Sequence, residues 1–149
     1  MRPGAGDPGA GEPFPAALRA FVSYFNQERF WESHEVLEAP WRRNRSPFYK
    51  GLIIYASAFV HVQRGNPRGV RKQLVKARRY LWAYAPHYLG VDTAGLLAHL
   101  ERCLAAVSMD DPPAGEALRR AVAFHRLELD RALLRGDEPE RAASDPLST

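Results

Sequence analysis

The chain's 149 residues, 46% hydrophobic and 26% charged, suit one soluble globular domain that can bury a core without staples. A single cysteine, Cys103, excludes an intrachain disulfide and a paired-cysteine metal knuckle, and the most apolar stretch, 51–62, is too short to span a bilayer and contains Ser57 and His61. The net charge of +4 conceals an asymmetry, because eleven basic and no acidic residues lie between Glu38 and Asp92, whereas the rest of the chain carries ten basic and seventeen acidic ones.

The opening "MRPGAGDPGAGEPFP" lacks the apolar run of a secretory signal, which predicts a cytoplasmic protein. Residues 1–13 read as a flexible tail rich in glycine, proline and alanine. A first helix runs from Pro15 to Phe25, with Leu18, Phe21, Val22 and Phe25 on one face. Asn26 is placed to cap a second helix, Gln27 to Arg43. Ser46 as cap and Pro47 at the first helical position start a third, to Arg64. That helix is apolar nearly all round and is therefore expected at the centre. Asn66 and Pro67 start a fourth, which Pro86 ends after about Ala85, with a buried stripe of Val70, Leu74, Ala77, Leu81 and Tyr84. A fifth begins near Asp92 or Thr93 and carries Leu96, Leu97, Leu100, Cys103, Leu104 and Val107. The last runs from about Pro113 to Arg135 and presents Leu118, Val122, Leu129 and Leu133. Short loops predict a small antiparallel all-α bundle of five to six helices. It divides into a bundle domain over 14–109, an additional C-terminal helix over 110–136 packed on it, and a flexible C-terminal tail over 137–149.

The second helix carries polar residues where apolar ones are expected. At about 100° per residue, Phe30, Trp31, His34, Leu37, Glu38 and Trp41 share a sector of roughly 120°. Glu28, Glu32, Glu35, Arg42 and Arg43 fall outside it and form a solvated face. An inward carboxylate without a partner costs several kcal/mol or takes up a proton. On the third helix Lys50, Ile54, Ser57 and His61 form one stripe at helical spacing. In an antiparallel pair, His34, Glu38 and His61 can converge, with Trp31, Trp41 and Ser57 as walls. Two imidazoles and a carboxylate with room for water suit a divalent metal: zinc, iron(II) or manganese. The same residues also fit a histidine–glutamate hydrogen bond that only fixes packing, and no reaction is assigned to them. Of the other candidates, His87 is expected exposed in a loop and His99 solvated. His125 is expected on the apolar side of the last helix, hydrogen-bonded or as a fourth ligand. Cys103 reads as a small buried hydrophobe.

A second class of function rests on the fourth helix. Arg68, Lys72, Lys76 and Arg79 share the side opposite its buried stripe. Such a face suits nucleic acid or an acidic protein, or is simply solvated and answered by the chain's own acidic ends. No DNA-binding motif accompanies it, which weighs against nucleic acid. Val75 and Trp82 lie beside it and predict a partner helix, either the terminal one or that of a second subunit in a homodimer.

The stretches "FNQERFWESHEVLEAPWR" and "GLIIYASAFVHVQRGNPRG" resemble the prokaryotic domain-of-unknown-function family 309, over about residues 18–105. The resemblance rests on Phe30, Glu32 and His34, on His34, Glu38 and Trp41 in a His-x-x-x-Glu-x-x-Trp/Tyr motif, and on His61 followed by Arg64, Gly65 and Asn66. It implies a small helical protein whose motif has been suggested to bind metal, and it names no substrate. Ile54 departs from the resemblance, since family members often carry glutamine there. That departure weighs against an enzyme.

Overall fold

The computed structural model describes residues 12–135 and 138–140, and six α-helices are found among them. They are α1 (Ala16–Asn26), α2 (Phe30–Asn44), α3 (Pro47–Gln63), α4 (Pro67–Leu81), α5 (Thr93–Val107) and α6 (Gly115–Ala121). Short 3-10 turns follow at Trp82–Tyr84 and Arg131–Leu133. The described residues contain no strand, only an isolated bridge between Tyr88 and Val91. The all-α expectation therefore holds.

Three of the helix starts are set by the residues expected to set them. The Ser46 hydroxyl accepts from the Tyr49 amide, the Asn66 side chain from the Gly69 amide, and the Asp92 carboxylate from the Gly95 amide. Each satisfies one orphan donor of a first turn. Pro47 and Pro67 follow two of these caps at a position where no amide is needed. Asn26 behaves differently from its expected role. It is the last residue of α1, and Glu28 then takes a left-handed conformation, φ 61°, so α2 begins only at Phe30. Its amide group clasps Leu127 instead, donating to the carbonyl at 2.8 Å and accepting from the amide at 2.8 Å.

α3 is the central helix, packed against α2 on one side and α4 on the other. Between Phe48 and Val62 every residue is buried except Lys50, Ser57 and His61. Phe25 anchors the core beside it, with ring centroids 5.7 Å from Tyr55, 5.6 Å from Phe59 and 5.0 Å from Phe30. Such stacked and edge-on pairs add to the area that the rings bury.

The expected long terminal helix is a correction. Only Gly115–Ala121 is α-helical; from Val122, where the backbone turns extended, the chain has no regular helix until the 3-10 turn at Arg131–Leu133. The reason lies in its partners. The Ala123 carbonyl faces His99 Nε2 at 2.8 Å, Leu127 is held by Asn26, the Asp130 amide donates to the Gly90 carbonyl at 2.9 Å, and the Leu133 carbonyl faces His87 Nδ1 at 2.9 Å. Backbone groups engaged this way are unavailable to a helix. The tails expected over 1–13 and 137–149 lie largely outside the described residues. Of the second, Glu138 and Glu140 are described and are buried. Glu138 accepts from the Leu89 and Arg135 amides, and Glu140 accepts from Ser46 Oγ and from the Tyr88 hydroxyl.

Candidate functional site

The fully buried line of α2 runs through Phe30, Ser33, Leu37 and Pro40. His34, Glu38 and Trp41 lie along its flank and are half-buried. The sector read from the sequence is thus rotated by one position. Ser33, which replaces an apolar residue on the buried line, satisfies its hydroxyl by donating to the Phe30 carbonyl at 2.8 Å.

His34 Nδ1 is buried and has no hydrogen-bond partner among the described residues. It stands 4.0 Å from Glu38 Oε1 and 3.9 Å from Glu35 Oε2. Ligand atoms of these three residues all lie within 4.8 Å of one another, the one such group of histidine, cysteine or acidic side chains among the described residues. Glu35, expected on the solvated face, is indeed exposed, yet it turns its carboxylate to the imidazole. Glu38 also has Arg42 Nη2 at 3.7 Å. Trp31 stacks nearly parallel on His34, centroids 5.0 Å apart, and is itself 53% exposed. It therefore shields one face of the imidazole from solvent without being part of the core. Trp41 lies between two cations, with Lys50 Nζ 4.3 Å and Arg45 Cζ 4.5 Å from its ring, an arrangement favoured by the ring's negative faces.

His61 is not part of this cluster. Phe30 meets Phe59, Trp41 meets Lys50, and Gln63 donates to the Glu28 carbonyl, so α2 and α3 are antiparallel in a fixed register. In that register His34 lies opposite residues near 56, about five short of His61, or roughly 7 Å along the axis. His61 sits instead at the corner between α3 and α4, its Nδ1 3.3 Å from Asn66 Nδ2. Gly69 provides its seat, because a Cβ there would come within 2.3 Å of the ring. Partial burial, and then the nearby Arg64 and Lys72 charges, lower its pKa. Ser57 donates to the Ile53 carbonyl of its own helix at 3.0 Å. The Lys50, Ser57 and His61 stripe is the line along which α3 approaches solvent.

The remaining candidates fall elsewhere. His99, expected solvated, is buried and stacks with His125 at 4.0 Å, while His125 is exposed. Cys103 is a buried free thiol, as expected, and burial raises its pKa to about 11. It is a thiol at neutral pH and not a nucleophile. Arg68, Lys72, Lys76 and Arg79 are all exposed. Of the basic residues on α4, Arg78 alone forms an ion pair among the described residues, with Glu101 at 3.1 Å. Trp82, beside that face, is 68% exposed.

Residues 18–73 match the family model Domain of unknown function (DUF309). The match spans α1, α2 and α3 and enters α4, a shorter stretch than the resemblance read from the sequence. It contains the whole His34, Glu35 and Glu38 cluster and excludes α5, α6 and the extended segment after it. No curated protein matches the chain. No helix among the described residues is long and apolar enough to cross a membrane.

Proposed function

We propose that the protein binds a divalent metal ion, zinc, manganese or iron(II), at the solvent-facing flank of α2. His34 Nδ1 and the Glu38 carboxylate are the principal ligands, and Glu35 is the third. The observation that supports this reading is the buried His34 Nδ1, which has no hydrogen-bond partner among the described residues and lies beside two carboxylates. A buried nitrogen without a partner is costly, and a cation between it and the carboxylates removes that cost.

The donor set fits such an ion. Histidine with carboxylates suits zinc, manganese and iron(II), and bonds of about 2 Å to a tetrahedral ion place ligand atoms roughly 3.3 Å apart. The 3.9 and 4.0 Å separations reach that spacing by small side-chain rotations. Because Glu35 is exposed, the remaining coordination positions face solvent, where a water molecule, a substrate or a second protein can enter. Trp31 covers the imidazole ring and holds its plane.

Calorimetric titration of chelator-treated protein with zinc and with manganese tests the reading. Saturable binding of one ion per chain is expected. His34→Ala and Glu38→Gln should each weaken it by at least about tenfold, and His61→Ala should leave it unchanged. Absence of binding, or equal binding by the His34 and Glu38 variants, contradicts the proposal.

A second reading follows from α4. Its exposed Arg68, Lys72, Lys76 and Arg79 have no ion-pair partners among the described residues, which favours a face that attracts an acidic partner. The neighbouring Trp82 adds an exposed apolar contact suited to a homodimer or a protein partner rather than to free solvent.

A further inference from the structure

A second constellation lies outside the metal cluster and uses none of its residues. Tyr55 of α3, one side of α5 and the extended segment after α6 line a half-open cavity of about 710 Å³. That is the size of a site for a small molecule. Its walls are partly apolar, through Leu96, Leu127 and Leu133, and partly charged, through the exposed Arg102 and Arg126.

Tyr55 is the unusual residue. Its side chain is fully buried, stacked on Phe25 and edge-on to Phe59. Its hydroxyl has no hydrogen-bond partner among the described residues. Packing alone would be served as well by phenylalanine, and a buried hydroxyl left unpaired lowers stability. Burial pushes its pKa far up, so the group is a phenol that can donate. Tyr55 lines the cavity together with Leu96 and Arg102 of α5.

Arg102 has no carboxylate partner among the described residues. Its position is set by His99. The Ala123 carbonyl, 2.8 Å from His99 Nε2, can only accept, so Nε2 carries the proton. Nδ1 is then a bare acceptor, and Arg102 Nη2 reaches it at 3.5 Å. Burial lowers the His99 pKa, which keeps this tautomer neutral. One edge of the guanidinium is thereby tethered, and its other donors meet no carboxylate among the described residues. The rim holds Asp92, Glu128 and Asp130. Asp92 and Asp130 are engaged with the Gly95 and Ala132 amides, yet all three repel multiply charged anions.

We infer that this cavity binds a small organic carboxylate with an apolar body. Arg102 and the Tyr55 hydroxyl receive the carboxylate, and the body lies along Leu96, Leu127 and Leu133. A single carboxylate supplies the acceptor that Tyr55 lacks and the anion that Arg102 lacks. The acidic rim repels the phosphate dianion more strongly than a monocarboxylate, and the leucines select against ligands that are polar throughout.

Hexanoate and phenylacetate, with inorganic phosphate as the comparison, are the probes, titrated against the full chain and followed by ligand-observed NMR and by melting temperature. At least one of the two carboxylates should bind saturably at millimolar concentration, and phosphate should not. Arg102→Gln should weaken binding about tenfold and Tyr55→Phe severalfold. Tyr55→Phe should leave the melting temperature of the unliganded protein unchanged or raise it, which shows that the variant is folded. The inference is overturned if neither carboxylate binds, if phosphate binds as well, or if both variants bind like the parent. It is also overturned if Tyr55→Phe lowers the melting temperature of the free protein, or if chelator abolishes binding.

Discussion

His34 and His99 are both histidines on helices with leucine-lined faces, yet their surroundings differ. His99 is satisfied, since its Nε2–H donates to the Ala123 carbonyl and burial keeps it neutral. His34 Nδ1 lies under Trp31 with two carboxylates close by and no hydrogen bond among the described residues. The sequence distinguishes them only in part. His34 is marked by Glu38 one turn on, whereas the partner of His99 lies 24 residues away on an irregular segment. The pairing of His34 with Glu38 was therefore legible. The addition of His61 was not, because the α2–α3 register depends on Phe30 meeting Phe59 and Trp41 meeting Lys50. A pH prediction follows for His99. Its folded pKa lies below the ordinary 6.5, so the unfolded chain binds more protons as the pH falls below that value, and stability present at neutral pH is lost there. Melting temperature followed from neutral pH down to about pH 5 should fall less steeply in His99→Gln than in the parent. Parallel curves would show that His99 does not titrate in this way. His61 shifts in the same direction but is common to both proteins, so it does not enter the difference.

Among the elements, three helix starts were legible, whereas the start of α2 and the end of the chain were not. Ser46, Asn66 and Asp92 act on amides three residues ahead, an interaction local enough to read from spacing. The extended segment after α6 is held by groups from α1, α5 and the 85–92 loop, which no local pattern reveals. One signal was present. Val122 and Phe124, and then Leu127 and Leu129, recur at every second residue, the period of an extended chain. The helical reading used the wider spacing of Leu118, Val122, Leu129 and Leu133. Asn26→Ala removes the two-way clasp on Leu127. It should cost about 1–3 kcal/mol of stability, and hydrogen exchange of the Leu127 amide should accelerate far more than that of the α3 amides. Equal acceleration in α3 would show that the segment is not separately held.

For the whole molecule, the core and the charges are arranged on different principles. The apolar, nearly all-round pattern of α3 predicted its central place, because a helix without a polar face has to be covered on all sides. The charge asymmetry predicted a basic surface but not what answers it. On α4 only Arg78 is paired among the described residues, so the face keeps its positive potential. Retention on a heparin column should therefore be measurable at low salt, fall steeply as salt rises, and drop in a Lys72→Ala, Lys76→Ala, Arg79→Ala variant. Retention unaffected by salt or by these substitutions would argue against a polyanion-binding face.

Elemental analysis of protein purified without chelator tests the central proposal most directly. The account predicts zinc, manganese or iron at close to one ion per chain in the parent and its loss in His34→Ala, with both proteins folded. Metal at trace levels in the parent, or the same metal content in both proteins, would contradict it.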